Sequence, residues 1–246
     1  MNTVDAESLT FSKCDNISLQ LARTTDDYLG AFTLVHDSYV RADLSDPHPM
    51  GLRIMPHQLL DTSQVFVAKY DERVISTQTV VVDSPLGLPM ESIYPDVIGR
   101  HRASGRRLAE VCCLADRRLS PKRFFDLFSE LSRLMAQFAL RHGVDDLWIA
   151  CHPRHAKLYE RRMGFQLMGD ERDHPLVKGN PAVPLRVDLI NLREEYPKVW
   201  TQFFSEPISE PALAPTPHPE ADWEYFQRIA EGCVGEFAES SPHVAA

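Results

Sequence analysis

The chain has 246 residues, 43% hydrophobic and 25% charged. That balance supports a packed core and excludes wholesale disorder, collagen-like repetition and a bare coiled coil. A net charge of −9 argues against general nucleic-acid binding, which needs surplus lysine and arginine to neutralise phosphates.

No apolar run approaches the roughly 18 residues that span a bilayer. The segment Met1 to Lys13 is polar and lacks the apolar centre of a signal peptide. A soluble, cytoplasmic protein is expected. The five cysteines are Cys14, Cys112, Cys113, Cys151 and Cys233. An odd count with one adjacent pair does not read as a disulfide framework. Without a CxxC pair no zinc site is expected, and free or buried thiols are.

The elements follow in chain order. Asn16 to Arg23 alternates Ile17, Leu19 and Leu21 with polar residues, which predicts a strand. Thr24 is placed to cap the next helix, with Asp27 three residues on as its capping-box partner. That helix runs to about Tyr39 with Tyr28, Phe32, Val35 and Tyr39 on one face. Residues Arg41 to Leu60 carry Pro47, Pro49 and Pro56 and read as loop or broken helix. A hairpin follows: Gln64 to Tyr70 and Val74 to Asp83, rich in β-branched residues, around a turn at Asp71 to Arg73. Ser84 to Arg106, with Pro85, Pro89 and Pro95, reads as loop.

Arg107 to Ala115 is predicted to be a central strand. Ser120 and Pro121 form a cap and first-position pair that starts a helix. It carries Phe124, Phe128, Leu131, Met135 and Phe138 at helical spacing and stops at Gly143. Asp146 to Cys151 is a buried strand, Arg154 to Met163 a short helix ended by Gly164. Strands at Phe165 and from Pro184 to Ile190 close the pattern. After a short N-terminal segment, residues 1–15, one α+β domain spans residues 16–206. Residues 207–246 form a separate tail. Pro207 to Pro219 holds five prolines and reads as an extended linker. Trp223, Phe226, Ile229, Cys233 and Phe237 then repeat at three and four, an amphipathic helix expected to dock on its own domain.

The order of elements and the ending Tyr159-Glu160-Arg161-Arg162-Met163-Gly164-Phe165 resemble the GNAT acyltransferase fold, a mixed central sheet flanked by helices. The resemblance implies that the helix of this motif lies beside an acyl thioester. Further blocks occur in order: Gly51-Leu52-Arg53, Thr62 to Ala68, Asp83 to Glu91, Leu108-Ala109-Glu110-Val111, and His152-Pro153-Arg154-His155. Over about residues 17 to 190 the chain looks like the long-chain N-acyl amino acid synthases of the FeeM type, relatives of the acyl-homoserine-lactone autoinducer synthases. The resemblance implies an acyl group moving from acyl carrier protein to the amine of an amino acid or similar small acceptor. Autoinducer synthases tend to carry an arginine near the position of Leu34-Val35-His36. Its absence here argues against S-adenosylmethionine as second substrate.

The donor site departs from coenzyme A users of the GNAT fold. Those place a Gly-rich loop between the central strand and the next helix, where backbone N–H groups grip a pyrophosphate. Here the junction Asp116 to Arg123 has no glycine, and Pro121 removes a donor. An acyl-phosphopantetheine on acyl carrier protein therefore fits better than acyl-CoA, and no tightly bound cofactor or metal is expected. Residues 100 to 123 carry eight basic side chains against Glu110 and Asp116, a local +6 in an acidic chain. Arg106, Arg107, Arg117, Arg118, Lys122 and Arg123 are the candidates for docking an acidic carrier. A solvated, salt-bridged surface is the alternative.

Glu110 stands in an apolar strand, where burial would raise its pKa and suit it to accept a proton. Its alternative role is an ion pair with Arg106 or Arg107. The resemblance favours catalysis, because the acidic residue at this strand is shared with the family. His152 and His155 are candidate proton relays, or a helix cap and a packed ring. Arg154 is a candidate partner for an acceptor carboxylate. Tyr159 could protonate the leaving thiol or simply fill the core. Backbone N–H groups around Val111 and Cys112 are candidates to hold the oxyanion. Two other readings stay open: an acetyl-CoA-dependent N-acetyltransferase, and a non-catalytic protein that binds acyl chains or their carrier.

Overall fold

The computed structural model describes residues 9–10, 16–117, 121–215, 218 and 223–231, without the side chains of residues 9, 10 and 121–123. Cys14, Arg118, Ser120, Cys233 and Phe237 lie outside the described residues.

The strands are β1 (Leu9–Thr10), β2 (Ile17–Leu21), β3 (Ser63–Tyr70), β4 (Arg73–Val82), β5 (Leu108–Asp116), β6 (Asp146–Cys151), β7 (Gln166–Leu167), β8 (Arg172–His174) and β9 (Asn180–Asp188). They form one mixed sheet in the order β1-β2-β3-β4-β5-β6-β9-β7, with β8 added on β9. Only β5 and β6 run parallel. The helices are α1 (Thr25–Arg41), α2 (Pro95–Ala103), α3 (Pro121–Arg141), α4 (Pro153–Met163), α5 (Leu192–Glu195) and α6 (Pro197–Phe204), and α7 over residues 223–231.

Local chemistry sets most boundaries. Thr24 accepts from the Asp27 backbone N–H, and Asp27 accepts in return from that of Thr24, which starts α1. The turn between β3 and β4 needs two residues at positive φ, supplied by Asp71 (+45°) and Glu72 (+63°). Gly164 at +72° ends α4, its N–H bonded to the Tyr159 carbonyl.

The sheet is covered on both faces. One face packs α3, α4 and α6 around Phe66, Leu131, Phe138 and Leu185. The other packs α1, α2 and the segment Leu52 to Met55 against Val65, Val67, Leu108 and Trp148. The apolar stripe of α7 is buried on α1: Phe226 meets Phe32 edge to face at 5.3 Å, and Trp223 lies 6.0 Å from Tyr28.

The short elements β1, β8 and α5 are unassigned from sequence, and the structure departs from the sequence reading further at four longer stretches. The stretch 84–106 contains α2. Residues 197–204, unassigned from sequence, form α6. The last strand starts at Asn180, before two prolines, rather than at Pro184. The proline-rich segment is not a free linker over its described part. Ile208, Ala212 and Leu213 are buried in the α3 face, and Gln137 bonds the Ile208 N–H and the Glu206 carbonyl. Prolines here shape a strap that packs.

One ion network fixes how β5 and β6 begin together. Asp146, fully buried at the start of β6, pairs with Arg106 and with Arg186, and both arginines also reach Asp188. Asp146→Ala leaves two half-buried guanidiniums sharing a single carboxylate. It is expected to cost about 3 kcal/mol, because a broken buried pair leaves uncompensated charge. Thermal denaturation checks this, and an unchanged melting temperature would contradict it.

Candidate active site

β5 and β6 pair over three positions only: Leu108 with Asp146, Ala109 with Leu147, Glu110 with Trp148. Beyond Glu110 the two strands part, β6 continuing along β9 and β5 along β4. β5 is also bulged. Thr79 faces Cys112 and Thr77 faces Ala115, so Cys113 and Leu114 oppose Gln78 alone. Cys113 takes φ +54°, a left-handed conformation that disfavours any side chain. Cys112 and Cys113 consequently both pack toward the α1 face, and Leu114 toward the α3 face.

A cavity of about 750 Å³ occupies the slot between the parting strands. Its α3 side is apolar, lined by Phe124, Phe128, Met135, Tyr159, Met163 and Phe165. Its other side carries Tyr39, Arg53, Glu110, His174 and Asn180. The slot thus joins an apolar lobe to a polar one through the sheet.

Glu110 lies at the point of parting and is 4% exposed. Its Oε2 accepts from the Met90 backbone N–H at 2.7 Å. Burial pushes its carboxyl up to about 8, against a smaller stabilising effect of the Met90 N–H. Neither arginine named as its alternative partner reaches it. Arg106 is committed to Asp146 and Asp188. Arg107 is exposed, and its backbone N–H bonds Asp145.

His152 caps α4, its Nδ1 accepting from the Arg154 N–H at 3.2 Å. Arg154 and His155 are exposed at the rim, Arg154 Nε 3.1 Å from His155 Nε2. Tyr159 packs edge-on against Phe128 and Phe165 in the apolar lobe. Burial pushes its hydroxyl above the usual tyrosine range, so it stays protonated. Glu110, Val111, Cys112, His152, Arg154, His155 and Tyr159 all line this one cavity. No hydrogen bond joins Glu110 to His152 or Tyr159 among the described residues.

The named docking arginines do not gather. Arg106 and Arg107 stand at the closed end of the slot, just before β5, whereas Arg117 follows β5 and is exposed beside the other end. Arg118 and the side chains of Lys122 and Arg123 lie outside the described residues. A basic stripe that the sequence reading missed runs along α4: Arg154, Lys157 and Arg161, all exposed and at helical spacing.

Arg53 and His174 were also missed as site residues. Arg53 interrupts the otherwise apolar run Leu52 to Met55, whose neighbours are buried. That interruption, and its place in the Gly51-Leu52-Arg53 block, are the signals the sequence offered. Cys112 and Cys151 line the cavity too. A hydrogen bond shared with Cys113, together with burial, pushes the Cys112 thiol up, and burial pushes Cys151 up to about 12. Neither is poised as a thiolate nucleophile. Among the described residues no group of three or more His, Cys, Asp or Glu side chains could hold a metal, and no helix is long and apolar enough to cross a membrane.

Comparison with known proteins bears on this arrangement. The family model of the N-acyl amino acid synthase FeeM matches residues 30–188, which include the slot, Glu110 and α4. The solved structure of FeeM, an N-acyl amino acid synthase from uncultured soil microbes, superposes with a TM-score of 0.65 at 23% identity, covering 74% of this chain and 96% of that one. The acyl-homoserine-lactone synthase LasI superposes at 0.58 with 16% identity, covering 79% and 96%. BjaI, a CoA-dependent acyl-homoserine lactone synthase solved with SAM and isopentyl-CoA, superposes at 0.52 with 14% identity, covering 86% and 99%. No curated protein sequence matches. The fold is thus the GNAT-like acyltransferase fold, and the chain belongs to the FeeM N-acyl amino acid synthase family and is an acyltransferase.

Proposed function

We propose that this protein moves a fatty acyl chain from the thioester of an acyl carrier protein to the amine of an amino acid, with Glu110 as the proton acceptor. The observation that carries the reading is Glu110 itself. It is a buried carboxyl without a cationic partner among the described residues, at the point where β5 and β6 part and an apolar lobe meets a polar one. The cavity of about 750 Å³ falls in the range of ligand pockets, about 300–1,000 Å³.

The acyl chain lies in the apolar lobe among Phe124, Phe128, Met135 and Phe165, and the amine approaches from the polar lobe. Attack on the thioester carbonyl forms the C–N bond and a tetrahedral oxyanion. A backbone N–H near Cys112, on the stretch of β5 that has left β6, is the candidate to receive it. Glu110 takes the amine proton, and collapse of the intermediate breaks the C–S bond. Tyr159, protonated and on the apolar side, offers a hydrogen bond to the leaving thiolate, which takes up through water the proton that Glu110 removed from the amine. His152 and His155 stand at the rim, where a relay to water would run. Direct attack needs no acyl-cysteine: Cys112 and Cys151 are held protonated, and Cys113, whose thiol pKa is lowered by the Cys112 hydrogen bond, is buried and takes no part in this reading.

The donor assignment rests on the Gly-free junction from Asp116 to Arg123, with Pro121 opening α3, and on the basic stripe of α4 beside the cavity rim. An acidic carrier meets Arg117 and the stripe first, and its acyl-phosphopantetheine enters between α3 and α4.

Glu110→Gln keeps the shape and an acceptor for the Met90 N–H but cannot take a proton. It is expected to lower kcat by about 10²–10⁴ in a folded enzyme. The wild-type rate should rise with pH through about 8, as the carboxyl becomes the base. In Glu110→Gln that limb should move to the ionisation of the amine itself. A near-normal rate in the folded variant would remove Glu110 from the reaction.

Arg117→Glu, Lys157→Glu and Arg161→Glu together are expected to raise KM for acyl carrier protein about tenfold at low salt with little change in kcat, because such charges act on encounter. The difference should shrink as salt increases. Equal turnover of acyl-CoA and acyl carrier protein by the wild type would contradict the donor assignment.

A further inference from the structure

We infer that Arg53 holds the carboxylate of the amine acceptor, and that the enzyme selects anionic acceptors through this guanidinium; this rests on the acyl-transfer reading above. The backbone explains why Arg53 faces the slot. Leu52, Ile54 and Met55 are buried against α1 and the sheet, and the Arg53 N–H bonds the Phe32 carbonyl. The alternation turns the Arg53 side chain into the polar lobe, where it lines the cavity.

The guanidinium is positioned and only partly used. Nη2 donates to the Leu176 carbonyl at 2.7 Å, and the Tyr39 ring lies under its face, 5.0 Å from ring centre to Cζ. Of five N–H donors one is spent on a neutral carbonyl. No carboxylate pairs with Arg53 among the described residues. Three other half-buried arginines differ in this, while Arg23, whose side chain bonds the Pro211 carbonyl, does not line the cavity. Arg102 is held by Asp83 and Glu91, and Arg106 and Arg186 share Asp146 and Asp188. A half-buried cation without a counter-ion is costly, and an incoming carboxylate offsets that cost while matching the guanidinium fork.

His174 supplies a second sign that a polar ligand belongs here. It lines the same cavity, and its Nδ1 is buried without a hydrogen-bond partner. Burial and the Arg53 charge hold the ring neutral, its pKa lowered to about 4. The ring is therefore a neutral donor or acceptor beside the cation, suited to the ligand's remaining polar atoms.

Charge also selects the acceptor class. Among the described residues Arg53 is a cation of the polar lobe with no carboxylate partner. An amino acid brings the missing anion, and fixing its carboxylate fixes where its amine sits relative to the thioester. Arg154, the residue named from sequence for this role, is exposed at the rim with its Nε against His155.

The test compares matched acceptors: leucine, phenylalanine and serine, each against its primary amide, with the acyl carrier substrate constant. Wild type is expected to favour the acids over their amides at least 100-fold in kcat/KM. Arg53→Gln should lose about 10²-fold or more on the acids, mostly in KM, and less than about threefold on the amides. Arg53→Lys should recover part of the loss, since it restores charge without the fork. KM for the acyl carrier should stay unchanged. Equal losses on acids and amides, or no loss in a folded variant, would overturn the assignment. So would a wild type that acylates amides as well as acids, which leaves acyl transfer itself standing. Absence of thiol release with every amine offered would instead remove the acyl-transfer reading, and this inference with it.

Discussion

The parting of β5 and β6 after three paired positions is the constraint on which the rest of the molecule depends. Parallel neighbours normally continue side by side, their backbone groups satisfied by one another. Here the Asp146 network with Arg106, Arg186 and Asp188 holds one end closed, and β6 then follows β9 while β5 follows β4. The bulge at Cys113 and Leu114 turns β5 further from its neighbour. The result is an opening through the middle of the sheet that joins its two covered faces.

That opening explains the electrostatics around Glu110. A carboxyl at the last paired position is buried, and among the described residues no arginine pairs with it, Arg106 being engaged with Asp146 and Asp188. It keeps a single N–H partner, at Met90, and its proton affinity rises accordingly. Arg53 is the mirror case, a cation in the same lobe without an acid. The two do not pair with each other among the described residues, and an amino acid brings a carboxylate for Arg53 and an amine for Glu110 to deprotonate. The apolar lobe across the sheet follows from α3 and α4, whose aromatic side chains face the core without filling the gap that the parted strands leave.

Much of this was readable from the residues. The Thr24 and Asp27 capping box, the β-branched hairpin, the aromatic spacing of α3 and the stop at Gly164 are local signals, and local physics decided them. Glu110 stood out because a lone carboxyl among apolar strand residues has few explanations. α2 did not, because three prolines and Gly99 disguised a helix that uses Pro95 as its first residue. β9 began earlier than expected because Pro181 and Pro184 are tolerated within it, Pro184 still accepting from the Met168 N–H. Arg106 reads in sequence as part of a basic patch, and only the tertiary arrangement brings Asp146 and Asp188 to it. Arg53 and His174 lie more than a hundred residues apart and became a site only when the β8–β9 hairpin folded over residues 39–53.

The most direct test of the central claim is titration of the Glu110 carboxyl itself. Carbon-13 NMR of protein labelled at glutamate side chains, with Glu110→Gln to assign the signal, follows its protonation in the resting enzyme. The account predicts a midpoint near 8, because burial at the parting of β5 and β6 is not offset by any cation. A midpoint in the ordinary carboxylate range, about 4 to 5, would mean that Glu110 is solvated or ion-paired and that the slot does not make it a base.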